Sequence, residues 1–340
     1  MAEGTAAGGS INAAFGTVAA GHMVVAEAVD RVFGAERVVE TADVTLHPFA
    51  HCLHSGSTCF EGLKAHRGVD GVVRVFRPDR HVARMRRTAE LVQLPVPPAD
   101  LLERMILAAV ESNLDEAPDA PGALYLRPML IGTDPNIGAA ASPSLSALLA
   151  VLASPVGDYF AGGVRPLSLL VETEVPRTTP QFGEAKAGAN YLMALGITRR
   201  AREERGCDQV LFAPGGSVQE TGAANFLLFD ERRVVTRALD STFLHGVTRD
   251  SVLTLARDRG MTVEERGITV DELLSWPGEA AIAGTAAVLS GVGALVHDGV
   301  RHTVGDGSVG PVTLSLREGL AAIQRGAAED IHGWTRPVLV

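Results

Sequence analysis

The chain has 340 residues, of which 46% are hydrophobic, and a formal net charge of −10. These values predict two folded domains with sizeable cores, and the acidic balance argues against nucleic-acid binding, which needs a basic face. No run of about 18 apolar residues is present to cross a membrane, and three cysteines at spacings that fit neither a zinc site nor a disulfide framework favour a reducing, cytoplasmic setting.

The first half of the chain is predicted to hold short strands and two helices. Residues 1–20 are rich in Gly and Ala, which predicts a loose start, and they lack the basic and apolar regions of a signal peptide. The turn-forming residues from Ser154 to Gly163 predict a domain junction. The predicted elements are strands at Val44–Leu46, Gly71–Phe76, Ala123–Ile131 and Ser146–Leu152, and helices at Asp79–Val92, with Asp79 as N-cap, and Leu101–Asn113.

The second half alternates strands with helices. The predicted elements are helices at Tyr191–Glu204, Thr248–Arg259 and Leu314–Gln324, strands at Gln209–Phe212, Asn225–Phe229 and Ala280–Gly284, and a turn at Pro214–Gly216. The whole chain therefore predicts an α/β fold class in a two-domain α+β arrangement. The smaller N-terminal α/β domain is expected over residues 1–160, and the larger C-terminal domain over residues 161–340.

Lysine is rare in this chain. Of the 30 basic residues only Lys64 and Lys186 are lysines, although either basic residue can serve on a solvated surface. Lys186 lies among small residues directly before a predicted helix, and small neighbours let a large ring approach the backbone. An unprotonated lysine amine is a nucleophile. The segment is therefore a candidate for covalent chemistry, with a solvated loop lysine as the ordinary alternative.

Other segments have residue types that suit a phosphorylated heterocycle. Glu220 precedes a Gly/Ala run, where its carboxylate could keep a ring nitrogen protonated and make the ring an electron sink. The segment Gly246–Thr248 opens a predicted helix, and helix N-termini bind anions. The turn Gly284–Ala287 offers a hydroxyl and consecutive N–H groups, and the guanidinium of Arg84 suits a phosphate. Each segment alone also fits a surface turn, a helix cap or a solvated helix face.

The order of these motifs along the chain carries a family resemblance. From about Phe15 to Trp334 the chain resembles the branched-chain amino-acid aminotransferases, which are fold-type IV, D-amino-acid-aminotransferase-like enzymes that use pyridoxal 5′-phosphate (PLP). The motifs are Phe60-Glu61-Gly62-Leu63-Lys64-Ala65, Phe76-Arg77-Pro78 with Arg84, Leu124-Tyr125-Leu126-Arg127-Pro128, Ser154-Pro155-Val156-Gly157 with Tyr159-Phe160, Lys186–Tyr191, Glu220–Asn225, Gly246-Val247-Thr248-Arg249 and Gly284-Thr285-Ala286.

The resemblance implies a role for each matching position in holding the cofactor, and it makes the C-terminal domain the PLP-binding one. Lys186 resembles the lysine that binds PLP covalently and moves the proton at the substrate Cα. Glu220 resembles the acid that pairs with the pyridine nitrogen, and Tyr191 the tyrosine hydrogen-bonded to the phenolic oxygen. The positions that resemble the phosphate cup are Arg84, Val247, Thr248 and Thr285.

The resemblance also implies a substrate site and a homodimer. Tyr125, Arg127 and the amides around Thr285 and Ala286 match the region that receives the substrate α-carboxylate. The matching side-chain pocket positions are Phe60, Tyr159 and Ile137, with Ile137 contributed from the partner subunit. The implied reaction is transamination between leucine, isoleucine or valine and 2-oxoglutarate in branched-chain amino-acid biosynthesis. Lys64 is interpreted as structural.

Departures from the family pattern leave alternatives open. Ser55 stands where the family usually has a tyrosine, Ala189 replaces a glycine and His245 replaces a proline. The first departure allows a related enzyme that acts on a larger or more polar amino acid in a specialised pathway. D-amino-acid transaminases and aminodeoxychorismate lyases share the lysine and the acid but lack the Tyr125–Pro128 context. A non-enzymatic scaffold would require loss of Lys186 or Glu220.

Overall fold

In the computed structural model of the protein, residues 15–138, 142–158 and 164–338 are described. The chain forms two compact units. The first comprises Met1–Tyr159, Lys186–Gly188 and Ala322–Val340, and the second comprises Phe160–Ala185 and Ala189–Ala321. The chain therefore returns to the first unit twice, once at Lys186 and again at its C-terminal end.

Within the described ranges the chain forms both strands and helices. The strands are β1 His22–Val29, β2 Val32–Phe33, β3 Arg37–Glu40, β4 Thr58–Phe60, β5 Leu63–Arg67, β6 Val73–Phe76, β7 Ala123–Gly132, β8 Ala147–Val156, β9 Leu167–Glu172, β10 Gln209–Phe212, β11 Asn225–Phe229, β12 Arg233–Thr236, β13 Thr262–Glu265, β14 Glu279–Gly284, β15 Val288–His297, β16 Val300–Thr303 and β17 Thr335–Val338. The helices are α1 His51–Ser55, α2 Pro78–Leu91, α3 Ala99–Glu111, α4 Gly188–Arg205, α5 Val247–Asp258, α6 Val270–Leu274 and α7 Pro311–Gln324. None of these helices is long and apolar enough to cross a membrane.

The first unit is built on an antiparallel sheet in the order β17-β6-β5-β7-β8-β1-β2, with β3 paired to β1 and β4 paired to β7. Successive side chains of a strand point to opposite faces. On β5, Leu63 and Ala65 join the hydrophobic core with residues of α2 and α3. Lys64 and His66 therefore lie on the opposite face, where Lys64 is in register with Tyr125 of β7. That face therefore carries Lys64, His66 and Tyr125.

The second unit is built on a mixed sheet in the order β10-β9-β15-β14-β11-β12-β13, with β16 paired to β15. The pairs β9–β10, β9–β15 and β12–β13 are parallel, and the other pairs are antiparallel. Phe226, Leu228, Ile282 and Leu295 contribute to its core. Gly284 ends β14 before the hairpin turn to β15, and Gly246 precedes α5. Both turns belong to this unit.

Most predicted elements are confirmed, and three expectations are wrong. Val44–Leu46 is not a strand, because an alternation of three residues is too short to specify one without a paired neighbour. The N-cap of α2 is Arg77, at φ 51°, and Asp79 lies inside the first turn, where its negative charge suits the helix dipole. The strand β8 continues through Val156, although the sequence predicted that it ends at Leu152 and that a turn begins at Ser154.

Candidate active site

Lys186 belongs to the first unit, where its backbone is fixed on both sides. Its N–H lies 3.2 Å from the hydroxyl oxygen of the buried Thr88, to which it donates, and its carbonyl accepts from the N–H of Phe60 at 3.1 Å. The half-buried side chain places Nζ 4.8 Å from the centroid of the Phe60 ring. An aromatic face attracts a cation at such a distance. The amine is thus positioned by its backbone and by contact with the ring.

Phe60, Tyr125 and Arg127 form a second group in the same unit. Tyr125 and Arg127 are two residues apart on β7, so their side chains share a face. Arg127 Nη2 donates to the Tyr125 hydroxyl at 2.9 Å, and the Arg127 guanidinium carbon lies 4.6 Å from the Phe60 ring centroid. Arg127 Nε is buried without a hydrogen-bond partner among the described residues. An arginine with an orphan N–H is suited to bind a carboxylate.

Arg84 lies on α2, and its closest polar contact is with a buried carboxylate. Its Nε and Nη2 lie 2.6 Å and 2.8 Å from the two carboxylate oxygens of Glu61. His81 Nδ1 lies 2.8 Å from Glu61 Oε2. Burial alone would raise the pKa of the Glu61 carboxyl, but the charge of Arg84 and hydrogen bonds from Arg84 and His81 hold that pKa well below its usual range. The guanidinium is thereby fixed in direction by an ionised partner.

His81 is held in its neutral form by the same surroundings. Burial is the largest effect and lowers the pKa of its imidazole; the hydrogen bond and charge of Glu61 raise that pKa, the charges of Arg84 and Lys186 lower it, and the net result is a lowered pKa. The neutral ring can still donate its Nδ1 proton to Glu61, which accepts it as a carboxylate. Glu61 and His81 therefore act as the support of Arg84, and the sequence motif gave no role to either.

Glu220 lies in the second unit, where three protein groups contact its carboxylate. Oε1 accepts from the N–H of Leu244 at 3.0 Å, and Oε2 accepts from the side-chain amide of Asn225 at 3.1 Å. The Nη1 atom of Arg177 lies 2.7 Å from Oε1, although in the described part of the chain this nitrogen finds no acceptor in hydrogen-bond geometry. We therefore describe this contact as an ion pair. Glu220 and Arg177 are both buried.

Asn225 connects Glu220 to the segment that precedes α5. Its amide nitrogen also donates to the carbonyl of Leu244 at 2.7 Å, and its amide oxygen lies where a Cβ at Gly246 would be. Gly246 is the N-cap of α5 and has no side chain to cap the helix. The first N–H groups of a helix lack intrahelical acceptors. Those of Val247 and Thr248 open α5, which is the local structure that anion binding requires.

Thr285 and Ala286 lie in the turn of the β14–β15 hairpin, in the second unit. The turn is followed by Val288 at φ 61°, a left-handed conformation that costs a β-branched residue strain. Arg317 of α7 stabilises the turn, because its Nη1 donates to the carbonyls of Ala287 and Leu289. Backbone strain that surrounding side chains maintain is typical of turns in ligand-binding sites.

The remaining predicted site residues are more exposed or lie outside the described ranges. Ser55 is the exposed last residue of α1, and Ile137 is 54% exposed in the loop after β7. Tyr159 lies outside the described residues. Tyr191 is half-buried on the first turns of α4, with the Arg177 guanidinium carbon 5.3 Å from its ring centroid.

The structure thus arranges the candidate residues in two groups, each within one unit. The first unit brings Phe60, Tyr125, Arg127 and Lys186 together, with Arg84 on the neighbouring helix. The second unit brings Tyr191 and Glu220 together through Arg177. Sequence reasoning gave no role to Asn225, although it ends the Glu220–Asn225 motif, and it missed Arg177 and Arg317, because no local pattern distinguishes these two arginines. The group in the second unit is Tyr191, Glu220, Val247, Thr248, Thr285 and Ala286.

Comparisons with known proteins agree on one family. The family described as amino-transferase class IV matches residues 58–294. The branched-chain-amino-acid aminotransferase of Mycolicibacterium smegmatis is 38% identical over 339 residues, covering 95% of this chain and 91% of that protein. The crystal structure of the T.th. branched-chain amino acid aminotransferase with pyridoxamine 5′-phosphate has a TM-score of 0.78 at 26% identity, covering 95% of this chain and 100% of that chain.

A second structure of the T.th. enzyme, complexed with N-(5′-phosphopyridoxyl)-L-glutamate, matches with a TM-score of 0.79 at 26% identity, covering 95% of this chain and 100% of that chain. The chain therefore belongs to the class IV aminotransferases, and within them to the branched-chain-amino-acid aminotransferase family. The family and the fold-type IV architecture predicted from the sequence are confirmed.

Proposed function

We propose that the protein is a PLP-dependent branched-chain-amino-acid transaminase. It transfers the α-amino group of leucine, isoleucine or valine to 2-oxoglutarate and releases the branched 2-oxo acid and L-glutamate. The observation that carries this proposal is family membership at 38% identity over nearly the whole chain. The phosphopyridoxyl-glutamate bound by the T.th. enzyme supports both the cofactor and the second substrate.

Lys186 is the residue that we assign to the chemical step. PLP, when bound, supplies an electrophilic carbon for the amine and a ring that withdraws electrons from the substrate Cα. Lys186 would hold the cofactor through Nζ, and its amine is the group that would carry the proton at the substrate Cα. Two backbone hydrogen bonds fix where its chain enters α4, and the face of Phe60 contacts the amine. Together they limit where Nζ can move, which favours attack from one direction.

The phosphate of the cofactor is assigned to the start of α5, the β14–β15 turn and Arg84. The open N–H groups of Val247 and Thr248, the hydroxyl of Thr248 and the turn at Thr285 are donors that an anion satisfies. Arg84 adds a positive charge, and its ion pair with Glu61 fixes the orientation of the guanidinium. These donor types fit a phosphate, and Glu220 with Tyr191 fits the pyridine nitrogen and the phenolic oxygen.

The substrate carboxylate is assigned to Tyr125 and Arg127, together with the amides around Thr285 and Ala286. The buried Nε of Arg127, which lacks a partner in the described part of the chain, is the donor that supports this assignment. Phe60, Ile137 and Tyr159 are assigned to the side-chain pocket, with Ser55 at its edge. Phe60 supplies an aromatic wall already in contact with Arg127 and Lys186.

The proposed assembly is a homodimer in the cytoplasm, in which Ile137 reaches the pocket of the partner subunit. Its exposure on a loop supports this contribution. The apolar residues Leu192, Met193 and Leu195 of α4 are 69%, 51% and 59% exposed, and exposed apolar surface of this kind marks an interface. The free cysteines support a reducing compartment.

A panel of half-reactions tests the proposed function. The purified protein is loaded with PLP and mixed with leucine, isoleucine, valine, phenylalanine or methionine, and the change of the cofactor spectrum is followed. Formation of glutamate from 2-oxoglutarate is then measured for each donor. The proposal expects the three branched-chain donors to react and to support glutamate formation. Failure to bind PLP, or transfer from none of the three, overturns it.

A second candidate is a related transaminase of a larger or more polar donor, and Ser55 is the observation that favours it. Serine at the pocket edge lacks an aromatic ring that could bury on the order of 150–250 Å². The imidazole of the nearby His54 already has another partner, because its Nε2 donates to the carbonyl of Pro48 at 2.8 Å. The same donor panel decides between the candidates: the second predicts higher kcat/KM for phenylalanine or methionine than for valine.

A further inference from the structure

Arg177 is a buried charge that contacts two of the residues assigned to the cofactor. Its side chain is 1% exposed, and its Nη1 lies 2.7 Å from Oε1 of Glu220, which is 2% exposed. Its guanidinium carbon lies 5.3 Å from the ring centroid of Tyr191. Its Nε donates to the carbonyl of Gly222 at 3.3 Å. The guanidinium is therefore held in one place, against the carboxylate and the phenol ring at once.

The Glu220 carboxylate is fixed by two further donors on the other elements packed around it. The backbone N–H of Leu244 binds Oε1, and the amide of Asn225 binds Oε2. Hydrogen bonds and a nearby cation both favour the ionised form of a carboxylate, whereas burial opposes it. Asn225 and Leu244 are neutral, so Arg177 supplies the positive charge among these contacts. A buried carboxylate needs such compensation, and Arg177 contributes to it.

We infer that Arg177 is a positioning residue that keeps the proton shared by Glu220 and the cofactor on the ring nitrogen. The inference rests on the proposed function, in which Glu220 pairs with that nitrogen. A proton between a carboxylate and a pyridine can reside on either partner. Because the guanidinium contacts the carboxylate directly, its charge would stabilise the ionised form of Glu220. The ring then stays protonated and withdraws electrons from the substrate Cα.

A simpler role for Arg177 is that of a counter-ion needed only for folding. Both roles predict that its loss lowers stability, so stability cannot distinguish them. The location of the proton distinguishes the two roles, because losing a counter-ion needed only for folding would not change the protonation of the ring nitrogen. The resonance of PLP labelled with ¹⁵N at its ring nitrogen reports that location in the bound enzyme, independently of activity.

The experiment compares the holoenzyme with Arg177→Met and Arg177→Gln, which remove the charge, and with Arg177→Lys, which retains it. Arg237→Met is the matched control, because Arg237 is a partly buried arginine of the same unit whose ion pair, at 2.8 Å, is with Asp240. The expected result is a protonated-ring resonance in the natural protein, Arg177→Lys and Arg237→Met. In the neutral variants the resonance should move toward that of the unprotonated ring.

The inference is overturned if a folded Arg177→Met or Arg177→Gln variant has the same ¹⁵N resonance as the natural protein. It is also overturned if the ring is unprotonated in the natural holoenzyme. In both cases PLP is bound, so the proposed function stands. A natural protein that takes up no PLP overturns the proposed function itself, together with the inference that rests on it.

Discussion

The guanidinium of Arg84 binds both carboxylate oxygens of Glu61, with Nε 2.6 Å from Oε1 and Nη2 2.8 Å from Oε2. Glu61 is 1% exposed, and it also binds the buried His81. The residue assigned to the phosphate is thus also half of a buried ion pair. Replacing Arg84 therefore affects two properties, the binding of PLP and the stability of the first unit.

We expect Arg84→Ala to lower the free energy of unfolding of the apoprotein by about 3–5 kcal/mol, because an unpaired buried carboxylate remains. PLP affinity should fall roughly 10- to 150-fold through loss of a charge-assisted hydrogen bond worth about 1.5–3 kcal/mol. The control is the double variant Glu61→Gln, Arg84→Met, which removes both charges. It should recover most of the stability but not the affinity. Urea unfolding and PLP titration measure the two quantities, and unchanged PLP affinity in Arg84→Ala would remove Arg84 from the phosphate site.

Gly62 makes room for the hydroxyl of Tyr125, because a Cβ at this position would overlap with Tyr125 Oη. We expect Gly62→Ala to displace the Tyr125–Arg127 pair and to raise KM for the amino donor about tenfold or more. Gly62→Ala combined with Tyr125→Phe should remove the worst overlap, leaving Cζ at 2.9 Å, and should recover part of the stability while KM stays high. Gly34→Ala is the control, since its nearest atom, Glu27 O, is at 3.7 Å. A single variant with the natural KM would show that this pair does not bind substrate.

His66 is a buried imidazole whose two ring nitrogens have no hydrogen-bond partner in the described part of the chain. Burial, with the charges of Lys64 and Arg325, lowers its pKa to about 3. The unfolded chain protonates this residue below about pH 6.5, whereas the folded protein does not until about pH 3. Folding stability must therefore fall as pH drops from about 6.5 toward 3, since the unfolded state binds the extra proton.

We expect His66→Phe to remove this contribution, so its stability advantage over the natural protein should grow as pH is lowered from about 7 to 4. Urea unfolding at a series of pH values measures the difference. His47→Phe is the control, because His47 is exposed. Its free energy of unfolding should vary with pH as that of the natural protein does. A pH-independent difference between His66→Phe and the natural protein would mean that His66 protonates freely in the folded state.

Ser55→Tyr should restore an aromatic ring at the edge of the pocket. A tighter pocket improves discrimination for small aliphatic side chains by about 1–3 kcal/mol, or roughly 10- to 200-fold. We expect kcat/KM for valine and isoleucine to rise relative to phenylalanine and methionine. Ser55→Ala, which adds no ring, should keep the natural ratios. If the tyrosine variant has the same ratios as the natural protein, Ser55 does not shape specificity.

Local patterns predicted the elements that are bounded by turn residues. The strands Gln209–Phe212 and Asn225–Phe229 have the predicted bounds, because each is an apolar run between clear breakers. The long strand β15 was not predicted, since Gly291 and Gly293 interrupt its pattern. In the fold these glycines allow close approach of Val309 and of the backbone at Gly307. Such a reason is tertiary and leaves no local signal.

The same limit applies to the site. Residues within ordered motifs, such as Lys186 and Glu220, could be proposed from the sequence because the family resemblance identifies their positions. Arg177 could not, because it is one of many arginines and its partner Glu220 is distant along the chain. Arg84 was recognised as a phosphate candidate, but its bond to Glu61 depends on how α2 packs against the link between β4 and β5.

Lys186 is the residue assigned to hold the cofactor, and the scarcity of lysine makes a direct measurement possible. The holoenzyme is reduced with borohydride, digested and mapped by mass spectrometry for the pyridoxyl group. Lys64 is an internal control, because it is the only other lysine of the chain and lies buried on β5. We expect the pyridoxyl group on the peptide that contains Lys186, and we expect it to be absent from the Lys186→Ala variant. Label on the Lys64 peptide, or no labelled peptide from a protein that binds PLP, would contradict the assignment.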